Sequence, residues 1–163
     1  MRKDYEIILN LIPENSKVLD IGCSDGELIT YLENKGISAQ GVELNQEKVI
    51  KCLEKGLDVI HGDINLIVED FPFNQFDYCL LTQTIQAVQE PDQLLNTLKK
   101  VSKNIIVSFN NSARLSKISN FLLTGSFDSL LKKANSDHWY NTDYIHPCSI
   151  KDFKKLATDL DLK

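Results

Sequence analysis

Apolar residues follow two alternating patterns along the first 110 residues of the chain. Short continuous apolar runs are each followed by a stretch in which apolar residues recur every three or four positions. Continuous runs are typical of strands that are covered on both faces, and the longer spacing is typical of amphipathic helices. The runs that predict strands are residues 17–22, 38–44, 58–64, 76–84 and 104–110.

Capping and stop signals frame the helices between these runs. Asn45 is a predicted N-cap, Pro91 stands in a predicted first turn, and Gly36 and Gly56 are predicted helix stops. The regular alternation of strand and helix predicts an α/β fold, a doubly wound and mainly parallel Rossmann-like sheet in three α/β/α layers. We expect residues 1–163 to form a single domain. The predicted helices cover residues 4–12, 25–36, 45–56 and 90–103, with a short helical turn over 66–71.

The pattern changes after residue 111. Residues 113–133 predict an amphipathic helix around Gly125, and residues 150–160 predict a last helix. Between them, residues 135–149 are rich in aromatic and turn-forming residues without periodicity, so they could form a lid over a site or pack across the sheet edge. The apolar stripe of the first helix is expected to be core, and it is also a candidate partner surface. It comprises Phe121, Leu122, Leu123, Phe127, Leu130 and Leu131.

Charge and composition narrow the classes of partner. The 163-residue chain has a formal net charge of −5, whereas broad contact with nucleic acid or an anionic membrane requires a basic face. The cysteines Cys23, Cys52, Cys79 and Cys148 have neither paired nor zinc-finger spacing, so we expect free thiols and no metal site. The N-terminus has no signal-peptide pattern and no apolar run reaches about 18 residues, which predicts a cytoplasmic protein.

The stretch VLDIGCSDGEL, residues 18–28, contains more glycines and acidic residues than a strand-to-helix turn requires. Gly22 and Gly26 can adopt positive φ and admit a ligand close to the backbone, and the next helix presents unpaired N–H groups. The dinucleotide pattern G-x-G-x-x-G would need glycine at Ser24 and Glu27, which argues against a nicotinamide cofactor. The alternative is a plain turn with a helix cap.

Acidic residues stand at the carboxyl ends of three successive predicted strands. Asp20, Glu43 and Asp63 would meet at the edge where open parallel sheets bind ligands. Asp20 and Asp25, the two acids near the loop, would repel a pyrophosphate but would suit an ammonium or sulfonium group, and S-adenosylmethionine has both. Glu43 could accept both ribose hydroxyls and Asp63 could accept from the adenine amino group. The alternatives are a solvated acid at Glu43 and a helix cap at Asp63.

Neighbouring residues complete the predicted site. Leu44 and Ile64 could sandwich an adenine ring, and Thr82 and Gln83 would lie under the methionine portion unless they are ordinary polar strand ends. Cys23 is either a thiol with a lowered pKa at a helix start or a small packed residue. The predicted cofactor-binding residues are Asp20, Gly22, Cys23, Ser24, Gly26, Glu43, Leu44, Asp63, Ile64, Thr82 and Gln83.

The sequence identifies no catalytic residue. Three histidines are candidate acid–base groups. His61 lies within a predicted strand and is expected to be a core residue. His138 and His146 belong to the aromatic segment, together with Trp139 and Tyr144, and would face the site if that segment is a lid.

These segments resemble a known family. VLDIGCSDGEL, GVELN, GDI and FDYCLLTQTIQAVQEPDQLL resemble the class I S-adenosylmethionine-dependent methyltransferases, and more narrowly the methionine biosynthesis protein MetW family. TQTIQAV and WYNTDYIH carry the narrower resemblance, which covers nearly the whole chain. Ser24 departs from the family, which usually has glycine there. A full methyltransferase fold would add about two antiparallel strands, so either this end is trimmed or the sheet edge is bare.

The resemblance implies S-adenosylmethionine as the cofactor and a role in methionine biosynthesis. Two functional hypotheses follow. The first is a methyltransferase that acts on a small molecule. The second is a non-catalytic, cofactor-sensing partner of homoserine O-acyltransferase, the enzyme with which MetW-like proteins are associated. An open, polar cavity beside the sulfonium position would favour the first hypothesis, and a closed or flat one would favour the second.

Overall fold

The strands form one parallel sheet, as the sequence predicts. The computed structural model describes residues 1–126 and 145–162. Within these residues the sheet has five strands in the order β3-β2-β1-β4-β5, with every neighbouring pair parallel. The strands are β1 (Lys17–Ile21), β2 (Ser38–Glu43), β3 (Val59–His61), β4 (Phe76–Thr82) and β5 (Ser102–Ser108).

The strand order reverses between β1 and β4. The chain runs outward from β1 through β2 to β3 and then crosses back to β4 and β5. Such a reversal leaves a crevice at the carboxyl ends of the two central strands, which is the usual ligand site of open α/β sheets. β5 lies at the sheet edge, and within the described residues no strand pairs with its outer side.

The helices cover both faces of this sheet. Asn45 caps the third helix, since its side chain accepts a hydrogen bond from the Lys48 N–H, and the predicted stops Gly36 and Gly56 have φ of +75° and +77°. A 3₁₀ turn, Val68–Asp70, follows the short fourth helix. The helices are α1 (Lys3–Leu11), α2 (Glu27–Asn34), α3 (Gln46–Glu54), α4 (Ile64–Ile67), α5 (Pro91–Val101), α6 (Leu115–Thr124) and α7 (Ile150–Asp159).

Alternate residues of the central strands enter two separate cores. Val18 packs with the side chains of α1 and α2, whereas Leu19 and Ile21 pack with those of α5. Because side chains alternate along a strand, Asp20 points to the face that α1 and α2 cover. This placement buries an acid between apolar helices and the sheet.

The structure corrects one predicted helix. The pattern over residues 113–133 predicts a single helix, but α6 ends at Thr124 because Gly125 adopts φ +66°. Leu122 and Leu123 are 76% and 86% exposed, so the expectation that they are core residues is wrong. The remaining predicted stripe residues, Phe127, Leu130 and Leu131, lie outside the described residues, as do His138, Trp139 and Tyr144.

In residues 1–126 and 145–162, no helix combines the length and the apolar character that a membrane span requires.

Candidate functional site

A cavity of about 600 Å³ opens at the carboxyl ends of β1, β2 and β3. Cavities of this size hold small molecules and cofactors. Five of the predicted site residues line it, namely Gly22, Glu43, Leu44, Asp63 and Ile64. The other lining residues are Ile21, Val42, Asn45, Lys48, Gly62, Asn65, Thr84, Ala87 and Val88.

Gly22 lines the cavity and has a conformation that favours glycine. Its φ is +74°, and a Cβ at this position would lie 2.6 Å from Oγ1 of Thr84. The Thr84 hydroxyl donates to the carbonyl of Ile21 at 2.9 Å and thereby fixes the end of β1 against the turn after β4. The close approach of this turn therefore requires a residue without a side chain at position 22.

Glu43 joins β2 to the glycine loop, the segment 22–26 between β1 and α2. Its Oε2 accepts from the Ser24 N–H at 2.8 Å and its Oε1 accepts from the Asn45 N–H at 2.8 Å. The side chain is 8% exposed and lines the cavity. Each carboxylate oxygen can accept more than one hydrogen bond, so the carboxylate that fixes the loop retains acceptor capacity for a ligand. The alternative of a solvated strand-end acid is therefore wrong.

Asp63 caps a helix and also lines the cavity. Its Oδ1 accepts from the backbone N–H of Asn65 at 2.9 Å and from the side-chain amide of the same residue at 2.7 Å. The cap expected as an alternative is thus present, as the N-cap of α4. Within the described residues nothing donates to Oδ2, which leaves that oxygen available to a ligand.

Asp20 does not reach the cavity wall. It is 1% exposed, and its Oδ1 accepts from the hydroxyl of Thr82 at 3.2 Å. Burial raises the pKa of Asp20 to about 7, while the Thr82 hydroxyl and Arg2 act in the opposite direction. Thr82 and Gln83 are not in the cavity wall either, and Gln83 adopts φ +59° with its N–H donating to the carbonyl of Ser108. None of these three predicted site residues lines the cavity.

Cys23 is a packed residue. It is buried in the core, and its Sγ would lie 2.6 Å from a Cβ at Gly41. Burial is the largest cause of a raised pKa of its thiol, so the lowered pKa considered from the sequence is wrong. Cys23, Ser24 and Gly26 all lie outside the cavity wall, and Gly26 with φ +76° is the N-cap residue of α2.

Ser24 adopts a backbone conformation that disfavours side chains. Its φ is +55°, which costs a residue with a Cβ about 1 kcal/mol. We expect Ser24→Gly to raise the free energy of unfolding by about 0.5–1 kcal/mol in a urea titration, because glycine relieves this cost. Ser119→Gly in α6 is the control and is expected to lower stability by about the same amount. A loss of stability in both variants would show that Ser24 is unstrained.

Sequence reasoning missed much of the cavity wall. Thr84, Asn45 and Lys48 carry no motif that distinguishes them from ordinary loop and helix residues. Thr84 could have been found from the close contact that Gly22 implies, but only once the pairing of β1 with β4 is known. His61, expected in the core, is exposed at the end of β3, where Nε2 contacts the carbonyl of Leu44 at 3.0 Å.

Ile145 and His146, the described residues of the second segment that carries the narrower resemblance, contact the first segment through Gln86. The Gln86 side chain is 2% exposed, donates to the carbonyls of Asn110 and His146, and accepts from the Asn110 N–H. Its own carbonyl accepts from the N–H groups of Ile145 and His146. His146 contacts the carbonyl of Gln89 through Nε2 at 3.0 Å. These contacts assign His146 to a tertiary junction, while His138 lies outside the described residues.

The fold and this cavity together define a class of protein. The parallel order β3-β2-β1-β4-β5, with a glycine loop after β1 and acids at the ends of β2 and β3, is the class I S-adenosylmethionine-dependent methyltransferase fold. The chain superposes on an S-adenosylmethionine-dependent methyltransferase from Archaeoglobus fulgidus with a TM-score of 0.70 and 20% identity, over 96% of this chain and 68% of that one. At such identity the likeness establishes the fold alone.

The same fold also occurs in a protein that is named as a cyclase and not as a methyltransferase. The [4+2]-cyclase SpnF superposes with a TM-score of 0.69 and 17% identity, over 97% of this chain and 55% of that one. The fold therefore does not by itself define the reaction.

The family is more specific than the fold. The profile of the methionine biosynthesis protein MetW family matches residues 2–163, and the chain belongs to that family. It is 32% identical over 168 residues to a bifunctional methionine biosynthesis protein MetXA/MetW of Rhodopirellula baltica, covering 98% of this chain and 27% of the relative. It is 26% identical over 93 residues to a ubiquinone biosynthesis O-methyltransferase of Pseudomonas entomophila, covering 53% of this chain and 40% of the relative. The chain thus spans less than half the length of these curated relatives.

Proposed function

We propose that this protein binds S-adenosylmethionine in methionine biosynthesis and acts as a methyltransferase on a small molecule. The observation that carries the proposal is the position of Glu43. Its side chain lines the cavity, while Oε2 accepts from the Ser24 N–H in the glycine loop and Oε1 accepts from the Asn45 N–H. A ribose diol bound there would donate hydrogen bonds to the same carboxylate that fixes the loop.

The residues of the cavity fit this cofactor. Glu43 and Asp63 give the wall two carboxylates, and Lys48 is its only cation within the described residues. This balance disfavours a pyrophosphate and favours a ligand with a positive sulfur and an ammonium group. Gly22 provides the close backbone approach that a side chain would prevent.

Four wall residues have a defined part in this proposal. Glu43 accepts from the ribose hydroxyls with its remaining lone pairs, and Asp63 accepts from the adenine amino group through Oδ2. Leu44 and Ile64 contact the two faces of the base. When bound, S-adenosylmethionine supplies an electrophilic methyl group, and the protein contributes by holding it in line with an acceptor.

The second candidate is a non-catalytic partner of homoserine O-acyltransferase that senses the cofactor. The relative from Rhodopirellula baltica favours it, because its name joins MetXA and MetW in one chain. The cavity wall supports it as well, since within the described residues no histidine lines the cavity to serve as a base.

Calorimetric titration tests the binding step that both candidates share. We expect S-adenosylmethionine to bind with a Kd in the range of about 1–100 μM, a range usual for small-molecule ligands of enzymes. NAD and ATP are matched controls that carry adenosine and a pyrophosphate, and they should give no heat. Absence of heat with S-adenosylmethionine up to about 1 mM would contradict the proposal.

A second measurement separates the two candidates. Mass spectrometry of cell extract incubated with the protein and a methyl-labelled cofactor should reveal a labelled small molecule if methyl transfer occurs. Binding to purified homoserine O-acyltransferase without any labelled product would favour the sensing partner.

A further inference from the structure

The loop between β4 and α5, residues 83–90, forms one part of the cavity wall. It contributes Thr84, Ala87 and Val88 to that wall. Its eight residues belong to neither a helix nor a strand, so no regular hydrogen-bond ladder fixes their backbone. The position of this part of the wall therefore depends on the contacts that the loop makes with the rest of the chain.

Gln86 lies in the middle of this loop and joins it to two other segments. Its side chain is 2% exposed. Nε2 donates to the carbonyl of Asn110 at 3.2 Å and to that of His146 at 3.4 Å, and Oε1 accepts from the Asn110 N–H at 3.0 Å. The backbone carbonyl of Gln86 accepts from the N–H groups of Ile145 and His146, each at 3.0 Å. The loop is thus tied to the segment after β5 and to the segment before α7.

An amide is the neutral side chain that can make all of these contacts. It donates two hydrogens and accepts through its oxygen, whereas a carboxylate cannot donate and an apolar side chain can do neither. Ile85 and Val88 also anchor the loop, because both are buried in the core. Apolar packing has no direction, whereas a buried and fully satisfied polar group specifies one arrangement of the chain. Gln86 therefore defines how the loop is oriented.

The strand order indicates which part of a ligand meets this loop. The cavity wall has Asp63 after β3, Glu43 at the end of β2 and Gly22 after β1, and the loop follows β4. Neighbouring strands lie about 4.8 Å apart, so β3 and β4 are about 14 Å apart. An adenosine bound by Asp63 and Glu43 occupies the side of β3 and β2. The amino-acid portion of the cofactor is then left for Gly22 and the loop.

We propose that Gln86 is a positioning residue of the cofactor site, which holds the loop after β4 against the amino-acid portion of S-adenosylmethionine. Gln86 does not line the cavity, so it acts through its neighbours Thr84, Ala87 and Val88. This inference rests on the cofactor proposed above. Its consequence is that the effect of Gln86 is confined to ligands long enough to reach the loop.

Calorimetric titration of the full chain with S-adenosylmethionine and with adenosine tests this consequence. Gln86→Met keeps the approximate size of the side chain and removes its three hydrogen bonds. It should weaken the binding of S-adenosylmethionine about 10-fold or more and change that of adenosine by less than about 2-fold. Gln89→Met is the matched control, because Gln89 is an exposed glutamine of the same loop, and it should bind both ligands as the parent does.

Hydrogen exchange followed by NMR tests the coupling without any substitution. The backbone N–H groups of Ile145 and His146 donate to the Gln86 carbonyl, and neither residue lines the cavity. S-adenosylmethionine should slow their exchange in the parent about 5-fold or more, because a ligand that fixes the loop also fixes what is bound to it. Adenosine should leave their exchange unchanged. In Gln86→Met the effect of S-adenosylmethionine on these two groups should be lost.

The outcomes separate this inference from the proposed function. Absence of S-adenosylmethionine binding by the parent would overturn both. If the parent binds it and Gln86→Met binds it equally well, the positioning role alone is overturned. An equal loss of affinity for both ligands would show that Gln86 supports the whole fold, and a parent that binds S-adenosylmethionine but not adenosine would overturn the division of the wall. If thermal unfolding shows that Gln86→Met does not fold, exchange in the parent decides, and an effect of the cofactor no greater than that of adenosine overturns the inference.

Discussion

Glu43→Ala is expected to lose about 2–4 kcal/mol of the free energy of unfolding and to bind S-adenosylmethionine about 100-fold more weakly or worse. Removing the carboxylate leaves the Ser24 N–H and the Asn45 N–H without their acceptor. Each unsatisfied, partly buried donor costs about 1–3 kcal/mol. The affinity falls further because the ribose acceptor is lost together with the loop geometry.

Two variants separate these effects. Glu43→Gln retains one side-chain oxygen and can satisfy only one of the two donors, so its stability should lie between those of the parent and Glu43→Ala. Glu47→Ala is the control, because Glu47 is an exposed acid in the first turn of α3 outside the cavity wall. Urea unfolding gives the stability and calorimetry gives the affinity. Near-parental stability of Glu43→Ala would contradict the bracing role, and unchanged affinity would contradict the ribose contact.

The sheet could be predicted from the sequence because its signals are local. Continuous apolar runs, the cap at Asn45 and the stops at Gly36 and Gly56 each act within a few residues. The five strands, the cap and the stops are all found, although β3 covers only Val59–His61 of the predicted residues 58–64. The prediction of one helix over 113–133 is wrong for a related reason. A glycine ends a helix only where its backbone is left-handed. Gly125 has φ +66°, but the apolar periodicity continues across it and gives no sign of this conformation.

The site could be predicted only in part because some of its contacts are not local. The strand-end rule places Glu43 and Asp63 in the cavity wall, since the carboxyl ends of parallel strands share one edge. The same rule fails for Asp20, which is one residue before the strand end and therefore points to the face that α1 and α2 cover. Thr84 enters the wall through the pairing of β1 with β4, which no local pattern specifies.

Asp20→Asn is expected to stabilise the protein by roughly 2–4 kcal/mol at pH 8 and by less at pH 5. Burial raises the pKa of Asp20 to about 7 from an ordinary value of 3.8. The folded protein therefore binds this proton more tightly than the unfolded chain does. The contribution of Asp20 to stability is most favourable below pH 3.8 and is lost as the pH rises through 7, because the buried carboxylate must then be ionised.

Asparagine removes this ionisation while it keeps an oxygen that can accept from Thr82. Urea unfolding between about pH 5 and pH 8 should show a stability that falls with pH in the parent and falls less in Asp20→Asn. Asp77→Asn is the control with the opposite sign, because Lys103 and the Lys17 N–H lower the pKa of Asp77. Identical pH profiles of Asp20→Asn and the parent would show that Asp20 is not the titrating group.

A buried acid with a raised pKa beside a cavity is a candidate functional group. Asp20 directly precedes Ile21 and Gly22, which line the cavity, so a cationic ligand there would favour its ionised form. S-adenosylmethionine should then bind more tightly at about pH 8 than at pH 6, and its binding should release a proton. Asp20→Asn should abolish both effects and raise the stability. A gain of stability with a loss of binding is expected when a residue is retained for binding rather than for folding. A parental affinity that does not change with pH would assign Asp20 to the core alone.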